Sequence, residues 1–163
     1  MLGALFGQTG RHAEALRANQ KAVELSPEDA QVHGNLGNTY RELNRLEEAE
    51  NEYKQAIILQ PGFGETYSNL GLTLQVQGRL EEAETRYKKA IKLKPDFAET
   101  HNNLGLTLQE LGRLREAEVS FKQAIILKSN YVDAMLNLSS VLSYIVSPEA
   151  EARTLKKLLL LDP

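Results

Sequence analysis

Asn35, Asn69, Asn103 and Asn137 recur at a fixed interval of 34 residues. A carboxamide offers two N–H donors and an acceptor on one planar group, so it can pair with both sides of a peptide backbone. Asparagine is also a poor helix former, at roughly 0.6 kcal/mol relative to alanine. A row of them therefore invites a recognition role. Residues that could make or break bonds are harder to assemble. His33 and His101 share a register position with Tyr67 and Met135, a packing slot, and His12 falls at a helix start near a turn. Glu47, Glu48, Glu81, Glu82, Glu116 and Glu118 cluster near the starts of predicted helices, where negative charge suits the helix dipole. Cysteine is absent, which excludes disulfides and thiolate chemistry. No phosphate-binding glycine loop, nucleophile elbow or metal-ligand spacing is present. The reading is a non-enzyme with no metal and no cofactor.

The bulk numbers agree with a binding protein. The chain has 163 residues, 42% hydrophobic and 25% charged, with a formal charge of −3. That balance argues against general affinity for nucleic acid or anionic lipid. The longest aliphatic run, Leu158 to Leu161, is far shorter than the ~20 residues a membrane span needs. Met1 to Phe6 is apolar but lacks the features of a secretion signal. These features set a cytoplasmic expectation.

The elements that position the asparagines follow from the repeat. Gly64–Phe97 and Ala98–Tyr131 align without a gap and are identical at most positions. The register extends to 30–63 and 132–163, with a truncated unit at 1–29. A fixed period in this range means stacked supersecondary units. In each unit a first helix ends at a glycine or asparagine able to turn left-handed (Gly10, Asn44, Gly78, Gly112). A second helix follows, closed by Pro27, Pro61 or Pro95, with Ser129 in that place in the third full unit. Small residues (Gly37, Gly71, Gly105) mark close helix approaches, and Tyr53, Tyr87 and Phe121 fill the adjoining space.

Leu-Gly, then Tyr or Leu, then Ala, Tyr or Phe, Ala and Pro, recurring in this register, resembles the tetratricopeptide repeat. The resemblance implies an all-α fold, a right-handed superhelix of antiparallel helix pairs forming one array over residues 1–163. The asparagine row is similar to that of the O-linked N-acetylglucosamine transferases, and Gly-Arg-Leu-Glu-Glu-Ala-Glu to bacterial repeat segments placed before transferase domains. The last unit departs from the pattern, with no glycine turn and Glu151 in a small-residue place. Its second helix is expected to begin at Ser147-Pro148 and to sit shifted or tilted.

In that family the first helices line the concave side. The second, sixth, ninth and thirteenth places of each unit share one stripe. It holds Asn35, Asn38, Asn69, Asn103 and Asn137, with Leu72 and Leu106 among them and Glu65, Glu99 and Asp133 as an acidic row. Helices about 8–10 Å apart would meet an extended ligand about every three residues. The expected partners are other proteins or extended peptides, bound with little sequence preference. The acidic row would favour Lys or Arg on the ligand. Gly34, Glu99 and Asn103 stand where a carboxylate clamp needs cations, so that use is rejected.

Neither end carries a polar cap, which repeat arrays need. The chain is therefore read as a segment of a longer protein, with Leu155, Leu158 and Leu159 as a self-association face for a homo-oligomer. The readings beside a peptide-binding scaffold are the recruiting part of a glycosyltransferase or sulfotransferase, and a self-assembling structural module.

Overall fold

The fold is that of a computed structural model, which describes residues 2–145, with side chains from His12 onward. Among the described residues it consists of eight α-helices and no strand: α1 Leu2–Leu25, α2 Ala30–Glu42, α3 Leu46–Leu59, α4 Gly64–Val76, α5 Leu80–Leu93, α6 Ala98–Glu110, α7 Leu114–Leu127 and α8 Val132–Ile145. This is the all-α repeat fold expected from the sequence. The chain divides into two compact units, Met1–Pro95 with α1 to α5 and Asp96–Pro163 with α6 to α8. Ser147, Pro148, Glu151, Leu155, Leu158 and Leu159 lie outside the described residues.

Each hairpin is built by the same local rules. Asn44 takes φ 57°, and Gly78 and Gly112 take φ 76°, the left-handed conformation that stops a helix. At the first of these turns the Arg45 N–H bonds back to Tyr40 O at 2.8 Å and the Asn44 N–H to Arg41 O at 2.9 Å. Arg79 to Leu74 and Arg113 to Leu108 repeat the first of these, which spans five residues. The next helix then starts at once. Acidic residues in its first turn (Glu47 and Glu48, Glu81 and Glu82, Glu116) favour its N-terminus. Proline is not required to end it. α7 stops at Leu127 although Ser129 replaces the proline.

One expectation fails. α1 runs from Leu2 to Leu25 without a break, so Gly10 does not end a helix and His12 is not at a helix start. A segment ending at Gly10 would hold about two turns, too few to be stable alone. Carrying the helix through glycine costs only about 1 kcal/mol.

In the first unit α2 packs on α1 and α3, and α4 on α3 and α5. Its core is Leu36, Tyr40, Ala49, Tyr53, Leu70, Leu74, Ala83 and Tyr87. A Cβ added to Gly37 would lie 2.7 Å from Tyr53 Cε1, and one added to Gly71 2.8 Å from Tyr87 Cε1. No side chain fits there. In the second unit Leu104, Leu108, Ala117, Phe121, Ala124, Ala134 and Val141 form the core, and Gly105 meets the Phe121 ring in the same way. Thr39, Thr73 and Thr107 are buried, and each hydroxyl donates to the carbonyl four residues back, on Asn35, Asn69 and Asn103. That bond lets a hydroxyl sit in the core at no cost to the asparagine side chains.

Candidate functional site

Tyr53 sets the site from below. Its ring is completely buried and its hydroxyl donates to Asn38 Oδ1 at 2.7 Å. Burial raises the hydroxyl pKa above the usual range, so the donor hydrogen stays in place. Asn69 Nδ2, from the next first helix, donates to the same Asn38 oxygen at 3.1 Å. Asn35 is exposed, with its Oδ1 accepting from Gln31 Nε2 at 3.0 Å. Thus α2 and α4 bring three asparagines to one face, and two of them touch. Leu72 is half-buried beside them, and Val76 is 58% exposed one turn further on. Glu65, from the acidic row, is held by Lys94 Nζ at 2.6 Å, so its charge is partly neutralised.

The second unit uses asparagine differently. Asn137 Nδ2 donates to Oδ1 of Asn102 at 3.0 Å. Asn102 is buried, whereas its neighbour Asn103 is half-buried, as is Leu106. Glu99 and Asp133 are exposed and close enough to Tyr131 that, after burial, their charges also raise the pKa of its hydroxyl. The Asn38–Asn69 and Asn102–Asn137 links and the Tyr53 hydroxyl were not anticipated from the sequence. Tyr at the aromatic place together with Asn at the ninth place of a unit was the signal available for the first of them.

His33 and Glu50 are each held by partners within the first unit. His33 is buried, with Nδ1 2.6 Å from Glu52 Oε2 and Nε2 2.9 Å from the Pro27 carbonyl. Glu50 is buried and accepts from Lys54 and Arg79, each at 2.7 Å. Burial alone would push its carboxyl up, but the two cations outweigh it and hold the pKa below the ordinary value. Arg79 also pairs with Glu82, and these carboxylates raise its pKa further. Among the described residues no group of three His, Asp or Glu is placed to hold a metal ion, and no helix is long and apolar enough to cross a membrane.

One model of the family described as TPR repeat matches residues 37–78 and 76–112, and two further tetratricopeptide repeat models match 18–51 and 97–128. The chain is a tetratricopeptide repeat protein. A search of the curated proteins gives no match to this tetratricopeptide repeat chain. Among solved structures it is similar to MamA, at TM-score 0.77 and 21% identity over 95% of this chain and 85% of that one. It is also similar to the first tetratricopeptide repeat domain of Spaghetti (RPAP3) bound to an HSP90 peptide, at TM-score 0.72 and 20% identity over 73% and 94%. PilF of Pseudomonas aeruginosa aligns at TM-score 0.78 and 26% identity over 88% of this chain and 65% of its own. The two likenesses near 20% identity carry the fold alone.

Proposed function

We propose that this tetratricopeptide repeat protein is a protein-interaction module that binds extended peptide segments on the first-helix faces of its units. The observation that carries this reading is the cluster of carboxamides on α2 and α4, with hydrogen-bonding atoms open to solvent. Asn38 Nδ2, Asn35 Nδ2 and Asn69 Oδ1 have no hydrogen-bond partner among the described residues, and none is a buried unpaired atom. Amides of this kind suit a main chain, whose N–H and C=O recur whatever the side chains are. In the second unit Asn103 and Asn137 would serve the same purpose, with Leu106 as apolar contact. A domain of the same fold has been solved with a bound HSP90 peptide, so the fold is able to hold a peptide. The terminal-carboxylate mode is disfavoured, because Gly34, Glu99 and Asn103 supply no cation for it.

The test is binding of an arrayed library of short unstructured peptides by the full chain, compared with the Asn69→Ala, Asn103→Ala double variant. Peptide binding that weakens about tenfold in the double variant, with the unfolding midpoint little changed, supports the reading. Equal affinity returns the asparagines to the scaffold.

A further inference from the structure

Asn38 is the one amide on α2 whose orientation the chain dictates. A carboxamide oxygen has two lone pairs, and on Asn38 the Tyr53 hydroxyl and Asn69 Nδ2 take both. Tyr53 cannot swing away, since its ring is sealed against Gly37. Arg41 Nε approaches the same hydroxyl oxygen at 3.4 Å, leaving the hydroxyl hydrogen for Asn38. Flipping the Asn38 amide alone would face its Nδ2 with the Asn69 Nδ2 donor, and flipping both amides together would take from the buried Tyr53 hydroxyl its acceptor, so either flipped form loses a bond. What Asn38 turns to solvent is therefore Nδ2, a donor only. Asn69, having given one hydrogen to Asn38, keeps Oδ1 open as an acceptor.

We infer that Asn38 and Asn69 form a preset donor–acceptor fork, with Tyr53 as its positioning residue, that takes the C=O and N–H of one residue of an extended peptide. In an extended chain the two groups of a single residue point to the same side, which matches one donor beside one acceptor. The inference rests on the peptide-binding reading and sharpens it. The ligand residue at the fork must keep its N–H, so proline is excluded there while other side chains are tolerated. The chain holds its own contrast: Phe121 occupies the Tyr53 place, so Tyr53→Phe is not foreign to the fold, and Leu72 and Leu106 show that the Asn38 place does not need an amide to fold.

The full chain is tested in high salt with the best-binding peptide of the arrayed library and with a proline scan of that peptide. Asn38→Asp keeps acceptors for Tyr53 and Asn69 but replaces the outward donor with an acceptor. It is expected to weaken binding about tenfold or more. Tyr53→Phe, removing only the hydroxyl, is expected to weaken it by a smaller factor, about threefold. In the wild type the peptide position at the fork should reject proline, and in Asn69→Ala, which removes the acceptor for the ligand N–H, that position should lose its distinction, which general destabilisation would not produce. Wild-type affinity in Asn38→Asp, or proline tolerated at every position, overturns the fork and leaves the peptide-binding reading standing. No peptide bound by the wild type overturns both.

Discussion

The Tyr87 hydroxyl donates to Gln75 Oε1 at 3.0 Å, joining the fifth helix to the edge of the fourth. One repeat later the aromatic is Phe121, and Gln109 Oε1 is buried with no hydrogen-bond partner. The missing phenol oxygen explains the orphan. Phe121→Tyr should restore the bond and stabilise the chain by about 1 kcal/mol, raising the thermal midpoint by about 2–4 °C. Thermal unfolding followed by circular dichroism checks this. A lower midpoint would mean that the tighter contact with Gly105, 2.5 Å rather than 2.8 Å for a built Cβ, leaves the phenol no room.

Two glycines on neighbouring first helices should respond to alanine in opposite ways. At Gly71 the new methyl collides with the buried Tyr87 ring, and overpacking of about 1–3 kcal/mol exceeds the ~1 kcal/mol gained in helix propensity. At Gly34 nothing lies within 4 Å, so Gly34→Ala should stabilise by about 0.5–1 kcal/mol. Urea midpoints of the two variants decide the matter.

Glu50 gives the first unit a defined acid response. Its pKa lies below the ordinary 4.5 in the folded chain, so the folded state binds fewer protons than the unfolded one in that window. The stabilisation is full above 4.5 and is lost as pH falls through the depressed value. Glu50→Gln should therefore be less stable than wild type near neutrality and show a shallower decline on acidification. Denaturant midpoints taken at a series of pH values measure both slopes, and parallel slopes would refute the assignment.

How much of this was legible in the sequence varies with the physics involved. The starts at Ala30, Gly64, Ala98 and Val132, and the left-handed turns at Asn44, Gly78 and Gly112, follow from local residue types and the repeat register. Gly10 misled because a glycine permits a turn without requiring one. Whether the chain folds back there depends on what is available for packing, which no local motif records. The asparagine row was visible as a period, but its division of labour was not. Orienting the Asn38 amide takes a hydroxyl from Tyr53 and a neighbouring amide from Asn69, brought together by helix spacing. Asn102 stands where the other units hold Gly34, Ser68 and Leu136, so no period marks it, yet it is the buried partner of Asn137.

Lys94 bears on the acidic row in the same practical way. It partly neutralises Glu65 across 2.6 Å, so Lys94→Ala should strengthen binding of peptides rich in Lys or Arg by about twofold to threefold in low salt. The gain should vanish in high salt, where exposed charges are screened. Fluorescence anisotropy at two ionic strengths tests this. A gain that survives high salt would point to a steric cause.

The turns at Asn44, Gly78 and Gly112 close through bonds between residues only five apart in the chain, as Arg45 to Tyr40 shows. The ring of Tyr53 and the backbone of Gly37 likewise meet within one repeat. Contacts this near in sequence need no distant partner to close a loop, so they form early and quickly. During synthesis a hairpin such as Ala30–Leu59 can settle while the rest is still being added, hiding its apolar side before a slower topology could.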